Sequence, residues 1–166
     1  MVAFANTSMT PCEKYYDVFD TDVFGAVCLT DACIPLLKRA EVPRTVFVSS
    51  SQGSLTRTLN PSYLGYKHLF TEHKTSKAAM TTVSAIYEVK YGPGGFLINS
   101  ACPGLCATNL TVRGFEGAQP PSVGAVQQCR LATLVKGGVN GTFSNVGGIV
   151  PFKKKILRRL RTSRRN

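Results

Sequence analysis

The chain has 166 residues, 43% of them hydrophobic and 17% charged. That length suits one domain able to bury a core, and that balance excludes an intrinsically disordered chain. No apolar run approaches the roughly 18 residues of a membrane-spanning helix. The formal net charge of +11 is concentrated at one end: residues 153–166, KKKILRRLRTSRRN, hold eight Lys/Arg and no acid. Residues 1–152 carry twelve basic against nine acidic residues, so the body is nearly neutral and the basicity belongs to a tail expected to be disordered. The body offers no groove-reading helix and no aromatic stacking platform for nucleic acid. The opening MVAFANTSMTPC lacks the basic and apolar regions of a secretory signal, which makes the cytoplasm the expected location.

The predicted elements alternate along the chain. Thr10-Pro11-Cys12-Glu13 is a capping box with proline at the first helical position, and apolar residues recur near helical spacing from Tyr16 to Leu37. A helix is therefore expected over 12–39, bent or broken at Gly25 and Pro35. TVFVSS (45–50) is β-branched, apolar and flanked by Pro and Ser/Gly, as a buried strand is. Residues 51–70 read as a loop, followed by a helix from about Glu72 to Tyr91 that Gly92-Pro93 stops.

GFLINSA (95–101) is a second buried strand, turned by Pro103-Gly104 into a loop over 105–121. Ser122 to Lys136 predicts a helix ended by Gly137-Gly138, and GTFSNVGG (141–148) a third strand. Helix and strand in alternation imply an α/β fold: right-handed crossovers building a parallel sheet covered by helices. Ligands in such sheets bind at the carboxyl ends of the strands, where Ser50 and Cys102-Pro103-Gly104 fall. The six cysteines form no CxxC pair and the only histidines are His68 and His73, so no metal site is expected and the cysteines should be reduced.

Within TEHKTSKAAM (71–80), His73 and Lys77 stand one helical turn apart on one face. A lysine there lowers the pKa of a titratable neighbour by its charge. With Ser50 at the adjacent strand end, these residues resemble the active site of the short-chain dehydrogenases/reductases. FDTDVFGAVCLTDACIPLLK resembles the family's helix that starts at an Asn-x-x-Gly element, with Asp22 in place of the asparagine. TVFVSSSQGSLT resembles the strand ending in the catalytic serine, on Ser50. HKTSKAAM resembles the Tyr-x-x-x-Lys helix, with its lysine on Lys77. INSACPGLCATNL resembles the Pro-Gly-x-x-x-Thr element, on Pro103, Gly104 and Thr108, and GTFSNVGGIVPF the closing strand of carbonyl-reductase-like members.

The resemblance implies an oxidoreductase interconverting a carbonyl and a secondary alcohol with NAD(P), NADP being favoured. It places acid/base work on position 73, ribose contact and pKa control on Lys77, and the reacting oxygen on Ser50. It gives position 22 a link to the lysine, and the nicotinamide contact to the Pro103-Gly104-Thr108 element. Its partners would be a small-molecule carbonyl or alcohol and a second copy of the chain, docked through helices 12–39 and 72–91.

Three departures accompany it. His73 replaces the tyrosine, bringing a side chain that titrates near 6.5 instead of near 10. Tyr63 and Tyr66 stand nearby, but either would take its place only if the helix began elsewhere. Asp22 can pair with Lys77 or lie solvated. The family's Gly-x-x-x-Gly-x-Gly turn is not in these residues, and GPGG (92–95) and GGVNG (137–141) have the spacing of helix stops. The expectation is thus a partial Rossmann-type domain over 1–152, with the N-terminal dinucleotide-binding strands missing, and a basic tail over 153–166. The competing expectation is a catalytically inactive remnant that acts by binding a partner.

Overall fold

The computed structural model of the protein describes residues 8–63, 70–110 and 116–152. Tyr66, His68 and the basic tail lie outside the described residues. The capping box forms as its sequence demands: the Thr10 hydroxyl accepts from the Glu13 amide while the Glu13 carboxylate accepts from the Thr10 amide. Helix α1 then runs over Pro11–Phe19, and the chain widens into a π-helical segment over Asp20–Gly25 before α2, Ala26–Leu37. The expected break at Gly25 is therefore a change of helical pitch. Pro35 is accommodated inside α2, which ends two residues beyond it.

Strand β1 (Arg44–Val48) and strand β2 (Leu97–Ala101) pair in parallel, Arg44 opposite Leu97 through Val48 opposite Ala101. The long helix α4, Thr71–Tyr91, crosses between them. On its other side β2 pairs in parallel with β3, Phe143–Asn145, which turns back antiparallel into β4, Gly148–Ile149. The sheet order is β1-β2-β3-β4, a mostly parallel open sheet with flanking helices, as the alternation implies. β2 is buried at every position, which is why LINSA carries no polar-out alternation. Ile34, Phe47, Met80, Tyr87, Phe96 and Ile98 form the main core, joining α2 and α4 to the face of β1 and β2 on which Phe47 and Ile98 lie. Helix α5 packs on the same two strands outside that cluster.

Three expected boundaries differ. The stretch 51–70 contains a 3-10 turn, Ser51–Gly53, and a short helix α3, Leu55–Thr58, because Ser50 and Ser54 each cap the turn that follows. Helix α5 spans Pro121–Ala132 and stops before Lys136: Thr133 leaves the helical conformation, its hydroxyl donating to Cys129 O at 2.8 Å. The third strand of 141–148 is a hairpin, closed by Gly148 at φ +119°. Side-chain amides supply the bonds that short strands lack. Asn140 Oδ1 accepts from Ile98 N at 2.6 Å while its Nδ2 donates to Phe96 O at 3.0 Å. Asn99 Oδ1 accepts from Thr142 N at 3.0 Å.

The turn after β1 is pressed onto α4. A Cβ at the buried Gly53 would stand 2.5 Å from Ala78 N and 2.6 Å from the Lys77 carbonyl carbon, both backbone atoms that cannot swing aside. Gly53→Ala should lower stability by about 1–3 kcal/mol, seen as an earlier urea midpoint with an unchanged slope.

Candidate active site

The π-helical segment aims Asp22 at α4. There His73, Ser76 and Lys77 share one face through their i, i+3 and i+4 spacing. Asp22 Oδ1 accepts from Lys77 Nζ at 3.0 Å. Asp22 Oδ2 lies 2.7 Å from Ser76 Oγ and 3.9 Å from His73 Nδ1. Of the two readings the sequence left open for Asp22, the structure shows the contact with Lys77. The extra residue that a π turn inserts rotates the helix face, which is how position 22 reaches α4 while Val23 enters the core. Ser76, fully buried and also 2.9 Å from His73 O, belongs to the same cluster and was not among the expected site residues. Its small size within the Thr75–Ala79 run was the available signal.

Lys77 is held at both ends. Its ammonium donates to Val48 O at 3.3 Å as well as to Asp22, and its backbone carbonyl accepts from Ser49 Oγ at 2.9 Å. Ser49 Oγ is also 2.7 Å from Thr81 Oγ1, so the end of β1 is pinned to α4 on either side of the lysine. An ammonium has three N–H donors; two are occupied in this way, which leaves one for a ligand hydroxyl.

Ser50 follows Ser49 in extended conformation, half-buried, and its Oγ accepts from Gln52 N at 3.2 Å. Accepting there leaves the serine proton to be donated to a ligand oxygen. The next strand end is tied in by sulfur: Cys102 Sγ accepts from Ser51 N at 3.1 Å and from Gly104 N at 3.4 Å. Gly104, at φ +78°, makes the turn that only a residue without Cβ adopts readily; a Cβ would meet Gln119 Nε2 at 2.8 Å. That amide donates to Pro103 O at 2.6 Å. Thr108 lies four residues further along the exposed loop, its hydroxyl accepting from Leu110 N at 3.3 Å. The structure thus gathers Asp22, His73 and Lys77 into one cluster and joins Ser50 to it through the pinned turn. Pro103 and Gly104 stand at the neighbouring strand end.

Residues 2–118 match the family model described as short chain dehydrogenase. The chain is 28% identical to (+)-neomenthol dehydrogenase of Capsicum annuum over 169 residues, covering 82% of this chain and 52% of that protein. It is 32% identical to (-)-isopiperitenone reductase of Mentha piperita over 162 residues, covering 76% and 50% respectively. The fold superposes on an NADPH-bound carbonyl reductase from chicken fatty liver with a TM-score of 0.73 at 19% identity, covering 90% of this chain and 61% of that one. This protein belongs to the short-chain dehydrogenase family. It spans about half the length of the curated relatives it matches.

The described residues fit one end of a nicotinamide dinucleotide. One Lys77 N–H is unused, and Gln52 Oε1, in the turn after Ser50, is buried without a hydrogen-bond partner; both are polar groups that a ribose or carboxamide would engage. Among the described residues no glycine-rich turn opens a helix toward a pyrophosphate. α4 starts after Phe70, and α5 starts after Pro120 without a side-chain cap.

Burial lowers the pKa of His73 below its ordinary value, the Lys77 charge lowers it further, and the Asp22 carboxylate works against both without overcoming them. The imidazole is therefore neutral at pH 7. The folded protein binds fewer protons here than the unfolded chain between the lowered pKa and about 6.5. The stability this provides is complete above that range and is lost as pH falls through it. A histidine NMR titration should place His73 below 6.5, shifted upward by Lys77→Met and further downward by Asp22→Asn. Stability between pH 5 and 7 should fall less steeply in His73→Asn.

Proposed function

We propose that this chain forms the substrate side of an oxidoreductase that interconverts a carbonyl and a secondary alcohol on a small molecule, with NAD(P) as cofactor. The observation that carries the reading is the doubly held Lys77, one N–H to spare, beside a serine whose proton is free to leave the turn. In this reading the cofactor, when bound, supplies or accepts the hydride. Lys77 holds its ribose, Ser50 donates to the reacting oxygen, and Asp22 fixes the lysine. His73 offers the oxygen a neutral imidazole, which carries one N–H and one acceptor nitrogen. Pro103, Gly104 and Thr108 form the nicotinamide side. NADP is favoured in line with the NADPH in the chicken carbonyl reductase of like fold.

The exposed apolar side chains Leu29 and Leu36 on α2, with Ile86 and Val89 on α4, support a homo-oligomer formed through these helices. Among the described residues no helix is long and apolar enough to cross a membrane. The location in this reading is the cytoplasm. Residues 1–152 are read as one domain and 153–166 as a separate basic tail.

Titration of the 166-residue chain with NADPH, followed by nicotinamide fluorescence and melting temperature together, tests the reading. Saturable binding with a raised melting temperature is expected, and Lys77→Met should abolish both. A flat response from folded protein overturns it. His73→Tyr, which places a phenol one turn before Lys77, should raise turnover by about 10²-fold, the scale of general acid–base catalysis.

A further inference from the structure

Helix α3 is anchored at its base and open on its outer side. Ser54, fully buried, caps its first turn and donates to Pro151 O. Thr56 N donates to Phe152 O at 3.3 Å, so the chain enters residues 153–166 from directly beside α3. Leu59 N donates to Leu55 O at 3.1 Å, which sets these two leucines one turn apart on one face. Leu55 is 53% exposed and Leu59 79%, and neither joins the described core clusters. They stand on a different element from the α2 and α4 side chains that support self-association.

The charge around this surface has one sign. All nine acidic residues precede residue 117, and none falls within 51–71. The chain from Ser51 to Thr71, and again from Gly117 onward, therefore carries no carboxylate side chain. Residues 153–166 add eight Lys/Arg, and among them Ile156, Leu157 and Leu160 recur at i, i+1 and i+4. Dense cations interleaved with apolar residues at helical spacing suit an interface of anionic headgroups over hydrocarbon. Duplex DNA offers the same charge but no apolar layer for Leu55 and Leu59 to enter.

We propose that the α3 face bearing Leu55 and Leu59 forms, together with residues 153–166, a docking surface for an anionic phospholipid membrane. The cations meet the headgroups, and the two leucines enter the acyl boundary beneath them. Because α3 begins five residues after Ser50, docking brings the carboxyl end of β1 to the membrane surface. Neither nucleotide nor carbonyl binding enters this docking, so a flat NADPH titration would leave it standing.

Cosedimentation of the 166-residue chain with vesicles is the test, using phosphatidylcholine alone and equimolar phosphatidylcholine and phosphatidylserine. Saturable binding to the mixed vesicles only, weakening as salt rises, is expected. Lys153→Glu, Lys154→Glu and Lys155→Glu together should weaken it about a hundredfold. Leu55→Ser with Leu59→Ser should weaken it about tenfold. In methyl-labelled wild type, spin-labelled lipid in phosphatidylserine-containing bicelles should broaden the Leu55 and Leu59 resonances and spare the buried Leu97 and Leu131. That reading needs no substitution to fold. Equal binding to both vesicles, no binding to the mixed ones, a loss in the lysine variant that the leucine variant does not share, or unbroadened Leu55 and Leu59 methyls each overturns the inference. So does tighter binding to a DNA duplex at equal phosphate concentration, which would make nucleic acid the partner.

Discussion

The hydroxyl of Ser49 lies between the Lys77 carbonyl and the Thr81 hydroxyl, and that contact sets the geometry of everything at the carboxyl end of β1. It is a buried polar contact with its partners supplied, so breaking it would leave unpaired groups in a dry environment. One turn later Gly53 meets the backbone of Lys77 and Ala78 with no room for a side chain. Strand end and helix therefore move as one body. Ser50 and Ser51 keep a constant relation to Lys77, which is distant in sequence, because of it.

The second constraint is helical pitch. A regular α-helix through 20–25 would carry Asp22 around a different face, since each residue advances the direction by about 100°. The π-helical stretch absorbs an extra residue, and the carboxylate arrives against Lys77 and Ser76. The result is an electrostatic cluster in which one anion faces one cation and one neutral imidazole. Asp22 stabilises the ammonium in place and opposes the depression of the His73 pKa, but burial decides the histidine's state.

Membership of the short-chain dehydrogenase family and the placement of its motifs on one α/β sheet account for the strand-end architecture. They also frame its departures. At position 73 a buried, neutral imidazole stands one turn before Lys77, where the resembled motif has a phenol. Tyr63, one of the two tyrosines the sequence offers nearby, lies between Arg57 and Ser51 in the folded loop.

Much of this was legible in the residues themselves. The capping box at Thr10, the strands around Phe47 and Ile98, of which only the second is buried throughout, and the helix stopped at Gly92 follow from local chemistry: hydrogen-bond needs at helix ends, β-branched runs and glycine punctuation. The one-turn spacing of His73 and Lys77 is likewise a property of the helix alone. Three features were decided by tertiary structure. The sequence left Asp22 open between pairing and solvent because a π turn has no composition signature of its own. It read 51–70 as a loop, since α3 and its anchoring to Pro151 depend on contacts across the domain. The segment leading into the β3–β4 hairpin is tied to β2 by side chains, Asn140 accepting from Ile98 N and Asn99 from Thr142 N, a contribution that no local pattern encodes. Period and capping are written residue by residue, whereas the direction in which a side chain finds its partner is settled only when distant segments pack.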